Sequence, residues 1–115
     1  MTTGRLTTHA LDTARGCGAA GLSVEVRRLS PTLAVLPGAT LDEGGRAVLV
    51  AEGLEPGVYE LAFHVADYHR AAGVDLPDPP FLDVIPIRFG VADAGAHYHV
   101  PLLISPYGYS TYRGG

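Results

Sequence analysis

Glycine and proline recur so often along this chain that short, turn-bounded elements are favoured over long helices. Nine prolines and fifteen glycines divide its 115 residues into brief apolar runs. Several runs alternate with a period of two, as a half-buried strand does. Residues 57–65 are the clearest case. Tyr59, Leu61, Phe63 and Val65 take one parity, and Glu60, Ala62 and His64 the other. Residues 6–13, 22–29, 32–36, 46–51 and 81–89 read as further strands, with Pro37-Gly38 ending the third and Pro86 marking an edge or bulge. Residues 15–21 read as a loop. Residues 66–73 form the one helix candidate, with Asp67 as N-cap and Gly73 as its stop. Together with two C-terminal runs this predicts an all-β, two-sheet sandwich of about eight strands with one short helix.

The C-terminal runs carry most of the chemistry. On the strand from 97 to 104, His97, His99, Pro101 and Leu103 share one face, and Tyr98, Val100, Leu102 and Ile104 form the core face. The chain can turn at Ser105-Pro106 and pair back, giving Ser110 and Tyr112 one parity and Arg113 the other. His9 likewise falls opposite the Leu6, Thr8, Ala10 parity of the first strand. The imidazoles are thus directed away from the core, although parity alone does not bring their strands together.

Composition limits the alternatives. The net charge is −4, and the eight basic residues are scattered arginines, which argues against nucleic acid or a membrane surface as partner. One cysteine, Cys17, precludes an internal disulfide. No apolar run approaches the ~20 residues of a membrane span, and no signal-peptide core is evident. A cytoplasmic, single-domain protein spanning residues 1–115 is expected, burying roughly 65% of its unfolded surface. Gly16-Cys-Gly18 lacks the helix and lysine of a phosphate loop, and Ser105 has no nucleophile-elbow context. The His97-x-His99 pair has no sequence-adjacent third ligand forming a facial triad, so no metal is expected.

The stretch His97-Tyr-His-Val-Pro-Leu-Leu-Ile-Ser-Pro-Tyr-Gly-Tyr-Ser-Thr-Tyr-Arg-Gly-Gly115 resembles the C-terminal signature of the transthyretin-like family, in its 5-hydroxyisourate hydrolase branch. It departs from that signature at Ile104 and at Gly115, where serine is usual. Leu6-Thr-Thr-His-Ala-Leu-Asp-Thr-Ala-Arg-Gly16 is similar to the family's opening motif, and Gly44-Gly-Arg46 is a third, weaker match. The three occur in the family's order across nearly the whole chain.

The resemblance implies a transthyretin-like sandwich, assembled as a homotetramer (a dimer of dimers) whose outer faces line a channel. It also implies cofactor-free hydrolysis of 5-hydroxyisourate, the unstable product of urate oxidation, by attack of water on a ring carbonyl. The implied catalytic residues are His9, Arg46 and His99. His9 would orient water and His99 would act as base, or the two roles could be exchanged, since sequence gives identity and not geometry. Arg46 would favour neutral imidazole and hold the carbonyl edge. His97, Ser110, Tyr112, Arg113, Gly114 and Gly115 are the implied substrate-binding positions. His64 and His69 match no family motif and are expected to be structural or exposed. The alternative is a non-catalytic small-molecule carrier of the transthyretin type, which has no need of this polar set.

Overall fold

The computed structural model describes residues 3–115. Nine strands and one helix follow in the order β1 (Arg5–Asp12), β2 (Cys17–Gly18), β3 (Ser23–Ser30), β4 (Ala34–Thr40), β5 (Arg46–Val50), β6 (Gly57–His64), α1 (Val65–Ala71), β7 (Val84–Val91), β8 (His97–Ser105) and β9 (Gly108–Thr111). One sheet runs β2-β1-β8-β9, with β5 on the same edge of β1 as β2; the other runs β4-β3-β6-β7. The expected two-sheet sandwich is therefore present.

Between the sheets lies a core of alternating side chains. Leu6 and Ala10 of β1, Val24 and Val26 of β3, Tyr59, Leu61 and Phe63 of β6, and Leu102 and Ile104 of β8 are all buried. Each large apolar side chain contributes about 1.5–3 kcal/mol when removed from water. This fixes register, because a one-residue slip would turn every core side chain to solvent. Glu60 lies on the outer face yet is largely covered: Arg27 donates to it at 2.8 Å and Arg88 at 3.1 Å. Hydrogen bonds from Arg27 and Arg88 hold its carboxyl below the usual range.

Several elements differ from expectation. β4 does not stop at Pro37-Gly38 but continues to Thr40. The reason is a bulge: Val24 faces Ala39 while Val26 faces Leu36, so Pro37 and Gly38 together oppose Glu25. β4 is an edge strand, where proline's missing N–H costs no ladder bond. At Gly38 the Val24 carbonyl would lie 2.7 Å from any Cβ, so the bulge requires glycine there. The expected loop at 15–21 contains the two-residue β2, and the strand expected at 81–89 begins at Val84. The helix starts two residues before Asp67, capped by His64 without a side-chain bond. Asp67 sits inside the first turn, where its charge favours the helix dipole. Gly73, at φ 88°, donates to the Arg70 carbonyl and ends the helix as expected.

Candidate active site

β1 pairs parallel to β8 and antiparallel to β5, and this places residues distant in sequence in two rows across the outer face of one sheet. The first row is Arg46, His9 and Pro101. The second is Val48, Thr7 and His99. Leu102 faces Thr111 and His99 faces Gly114 at one constant offset, so the tail beyond β9 keeps register. Tyr112 thus extends the first row and Gly114 the second. Neighbouring strands lie ~4.8 Å apart, so the rows form one continuous surface.

Arg46 is aimed by a tight turn. Asp42 accepts hydrogen bonds from the backbone N–H of Gly44 and of Arg46, both 2.9 Å, and Gly45 takes φ 77°, a left-handed conformation. His9 fastens this turn to β1, its Nε2–H donating to the Gly44 carbonyl at 3.0 Å. A carbonyl only accepts, so the neutral His9 ring carries its proton on Nε2 and leaves Nδ1 free.

Thr7 Oγ1 lies 2.7 Å from His97 Nε2 and 2.8 Å from His99 Nδ1. The two rings are 6.1 Å apart between centroids. Burial, followed by the nearby His97, His9 and Arg46, holds His99 below the ordinary histidine pKa. Its neutral form is thereby favoured near pH 7. His99 Nε2 has no hydrogen-bond partner among the described residues. A cleft of about 430 Å³ opens on this face, lined by Arg46, His97, His99 and Gly115 together with Thr7 and Asp42. Among the described residues no three His, Cys, Asp or Glu side chains form a group that could hold a metal ion.

The tail is pinned against the cleft. The Gly114 N–H donates to the His99 carbonyl at 2.8 Å. A Cβ on Gly114 would lie 2.5 Å from His99 Cδ2 and 3.1 Å from Cγ, so glycine there lets the imidazole lie flat against the main chain. We expect Gly114→Ala to displace the His99 ring from Thr7 and lower catalytic turnover by ~10²-fold, the effect of losing a positioned base, with melting temperature nearly unchanged. Wild-type turnover in that variant would refute the steric argument.

The remaining sequence candidates are distributed around this cleft. Ser110 is exposed and faces Leu103, outside the cleft lining. Tyr112 and Arg113 line an adjoining cleft of about 380 Å³, with Phe89 and Tyr98. The Arg113 guanidinium lies 4.1 Å over the Tyr98 ring and donates weakly to the His97 carbonyl, so it anchors the tail with no carboxylate involved. His64 lies near Glu25 on the other sheet. His69 is buried in α1, and among the described residues neither of its ring nitrogens has a hydrogen-bond partner. Thr7 is the residue that sequence reasoning passed over. It shares His9's parity, but its importance depends on which β8 residue stands beside it.

The HIUase/Transthyretin family model matches residues 6–114 of this chain. 5-Hydroxyisourate hydrolase 2 of Rhizobium meliloti (strain 1021) is 53% identical over 96% of this chain and 96% of its own length. Among solved structures, (S)-allantoin synthase superposes with a TM-score of 0.94 at 38% identity, covering 99% of this chain and 44% of that one. The chain therefore spans less than half of that protein. Sea bream transthyretin in complex with thyroxine superposes with a TM-score of 0.84 at 25% identity, covering 95% of this chain and 93% of that one.

Proposed function

The chain belongs to the HIUase/Transthyretin family, and from that premise we propose that it is the hydrolase of 5-hydroxyisourate in urate breakdown. One observation carries the reading. Arg46, His97 and His99 meet at one cleft, with His99 kept neutral and its Nε2 unoccupied. A carrier site needs no such base.

Water bound in the cleft gives a proton to His99 Nε2 as its oxygen attacks a ring carbonyl. Arg46 holds the developing oxyanion with its fork of donors. The carbon–nitrogen bond of the ring then breaks, and the departing nitrogen takes a proton back. His9 is not among the residues lining the cleft; in this reading it holds the Arg46 turn through its bond to Gly44 and keeps Nδ1 free to meet a bridging water. The reaction requires no cofactor. Hydroxyisourate generated from urate by urate oxidase should decay faster in the presence of the protein, followed by absorbance; an unchanged decay would sink the reading.

We further infer a homotetramer. Leu11 and Val48 are exposed on the face that carries the cleft, and Leu103 is half-exposed beside them. Pro101, which shares that face with Leu103, is buried and adds nothing to the exposed patch. Two such faces packed about a two-fold axis bury the apolar residues and pair the clefts in one channel, with Ser110 and Tyr112 along its wall. Leu103→Arg should split the tetramer into dimers on sedimentation and reduce turnover by ~10²-fold or more, on the scale of a lost positioned group. A fully active tetramer from this variant would refute the assembly.

A further inference from the structure

We propose that Thr7 is a positioning residue for this reaction: its hydroxyl joins His99 to His97, fixes His99 in the Nδ1–H tautomer that leaves Nε2 free, and relays the proton onward. The inference rests on the hydrolase reading and assigns a task to a residue outside its catalytic set.

The argument begins with what one hydroxyl can do. Thr7 Oγ1 has one proton to donate and two lone pairs to accept with. Both imidazole nitrogens lie at good hydrogen-bond distance from it, 2.7 and 2.8 Å. The rings cannot both accept, since the hydroxyl has one proton. If both donated, that proton would need a third acceptor, which none of the described residues supplies, so one nitrogen donates to the oxygen while the other accepts from it. Only two arrangements of the neutral pair satisfy this. In the first, His99 Nδ1–H donates to Oγ1, and Oγ1–H donates to His97 Nε2. In the second, both bonds run the other way, and His99 carries its proton on Nε2.

Both arrangements satisfy the two bonds to Thr7, and the hydrolase reading selects the first for the resting protein. Only the first leaves the lone pair of His99 Nε2 open to the cleft, where a water to be activated would bind. Thr7 itself is buried, beneath rings held by the parallel β1–β8 ladder. A buried hydroxyl has little access to competing water, so its two bonds define the tautomers of both rings.

The same three groups can then move charge. When His99 Nε2 takes a proton from water, the ring becomes an imidazolium. Its Nδ1 proton can pass to Oγ1 while the hydroxyl's own proton passes to His97 Nε2. No atom is gained or lost; the charge moves from half-buried His99 to exposed His97, which is better solvated. The two bonds then run as in the second arrangement with His97 carrying the charge, and as the two transfers reverse His99 becomes acidic again and its Nε2–H can protonate the departing ring nitrogen. Returning that proton, with reversal of the two transfers, restores the resting state. Burial and the like charges around His99 favour this movement.

Two measurements test the proposal. Nitrogen-15 NMR of the protein above its histidine titrations should show His99 with Nδ1 protonated and Nε2 bare. Thr7→Val, which keeps shape and removes the hydroxyl, should average that signal between tautomers. It should lower kcat by ~10²-fold with KM changed by less than about threefold, while Thr7→Ser recovers most of the loss. A resting His99 protonated on Nε2 would overturn the proposal, as would a Thr7→Val enzyme with wild-type kcat. The NMR measurement needs no substrate. A locked Nδ1–H tautomer in a protein that leaves hydroxyisourate untouched would therefore refute the hydrolase reading and leave the hydroxyl bridge standing.

Discussion

Replacing His99 with alanine should cut turnover of 5-hydroxyisourate by ~10²–10⁴-fold, the range spanned by removal of a positioned general base. The fold should survive, because this side chain lies on the outer face of its sheet and not among the core residues. The pH dependence gives an independent readout. The base works only when neutral. Burial, His97, His9 and Arg46 all hold its pKa below the ordinary value, so the acid limb of kcat/KM should lie below that of a free histidine. Arg46→Ala removes one lowering charge and should move the limb upward, in addition to its own loss of rate. The linked stability has the same sign: the unfolded chain binds the proton more readily, so the contribution of His99 is present above the ordinary histidine pKa and is lost as pH falls through the lowered one. His64→Ala is the control and should be nearly silent, since His64 belongs to the other sheet. Equal losses from His64→Ala and His99→Ala would overturn the assignment.

Removal of residues 112–115 should abolish activity with only a small loss of stability. The tail contributes the Arg113 stack on Tyr98, one main-chain bond from Gly114 to His99, and the edge of the cleft at Gly115. An exposed cation–π contact is worth about 0.5–1 kcal/mol and a hydrogen bond about 1 kcal/mol. A loss near 2 kcal/mol lowers the ~5–15 kcal/mol of an ordinary domain without exhausting it, so the truncated chain stays folded. The His99 ring, however, loses the surface it rests on, and the substrate loses one wall. Thermal unfolding should therefore remain cooperative at a slightly lower midpoint while turnover drops by ~10³-fold, the scale of a lost catalytic group. A truncated protein within tenfold of wild type would show that the tail is not part of the site.

Much of this arrangement was legible from alternation. The outward parity of His9, His97 and His99, the buried Tyr98 to Ile104 face and the edge position of Pro86 follow from local pattern, and the structure has each of them. What pattern cannot supply is the identity of a strand's neighbour. Thr7 looks like any polar strand residue until β8 is placed beside β1. Arg113 looks like a surface charge until Tyr98 is seen beneath it. The continuation of β4 through Pro37-Gly38 depends on a bulge that only the pairing with β3 creates. His69 is expected from sequence to be structural or exposed, and the packing of α1 against the sandwich decides for the first by burying it.

The hydrogen bond between Thr7 and His99 joins residues 92 positions apart, and that separation bears on how the molecule is made. Closing a loop of this length costs about 4 kcal/mol of chain entropy before any contact offsets it. Parallel pairing of such remote strands is among the slow events in folding. A chain that has formed only its local hairpins (β3 with β4, or β8 with β9) has His97 and His99 on one strand, but neither the Thr7 bridge that joins them nor the His9 bond that fastens the Arg46 turn to β1. The cleft is therefore complete only once β1 docks on β8, and recovery of catalysis after denaturation cannot precede that step.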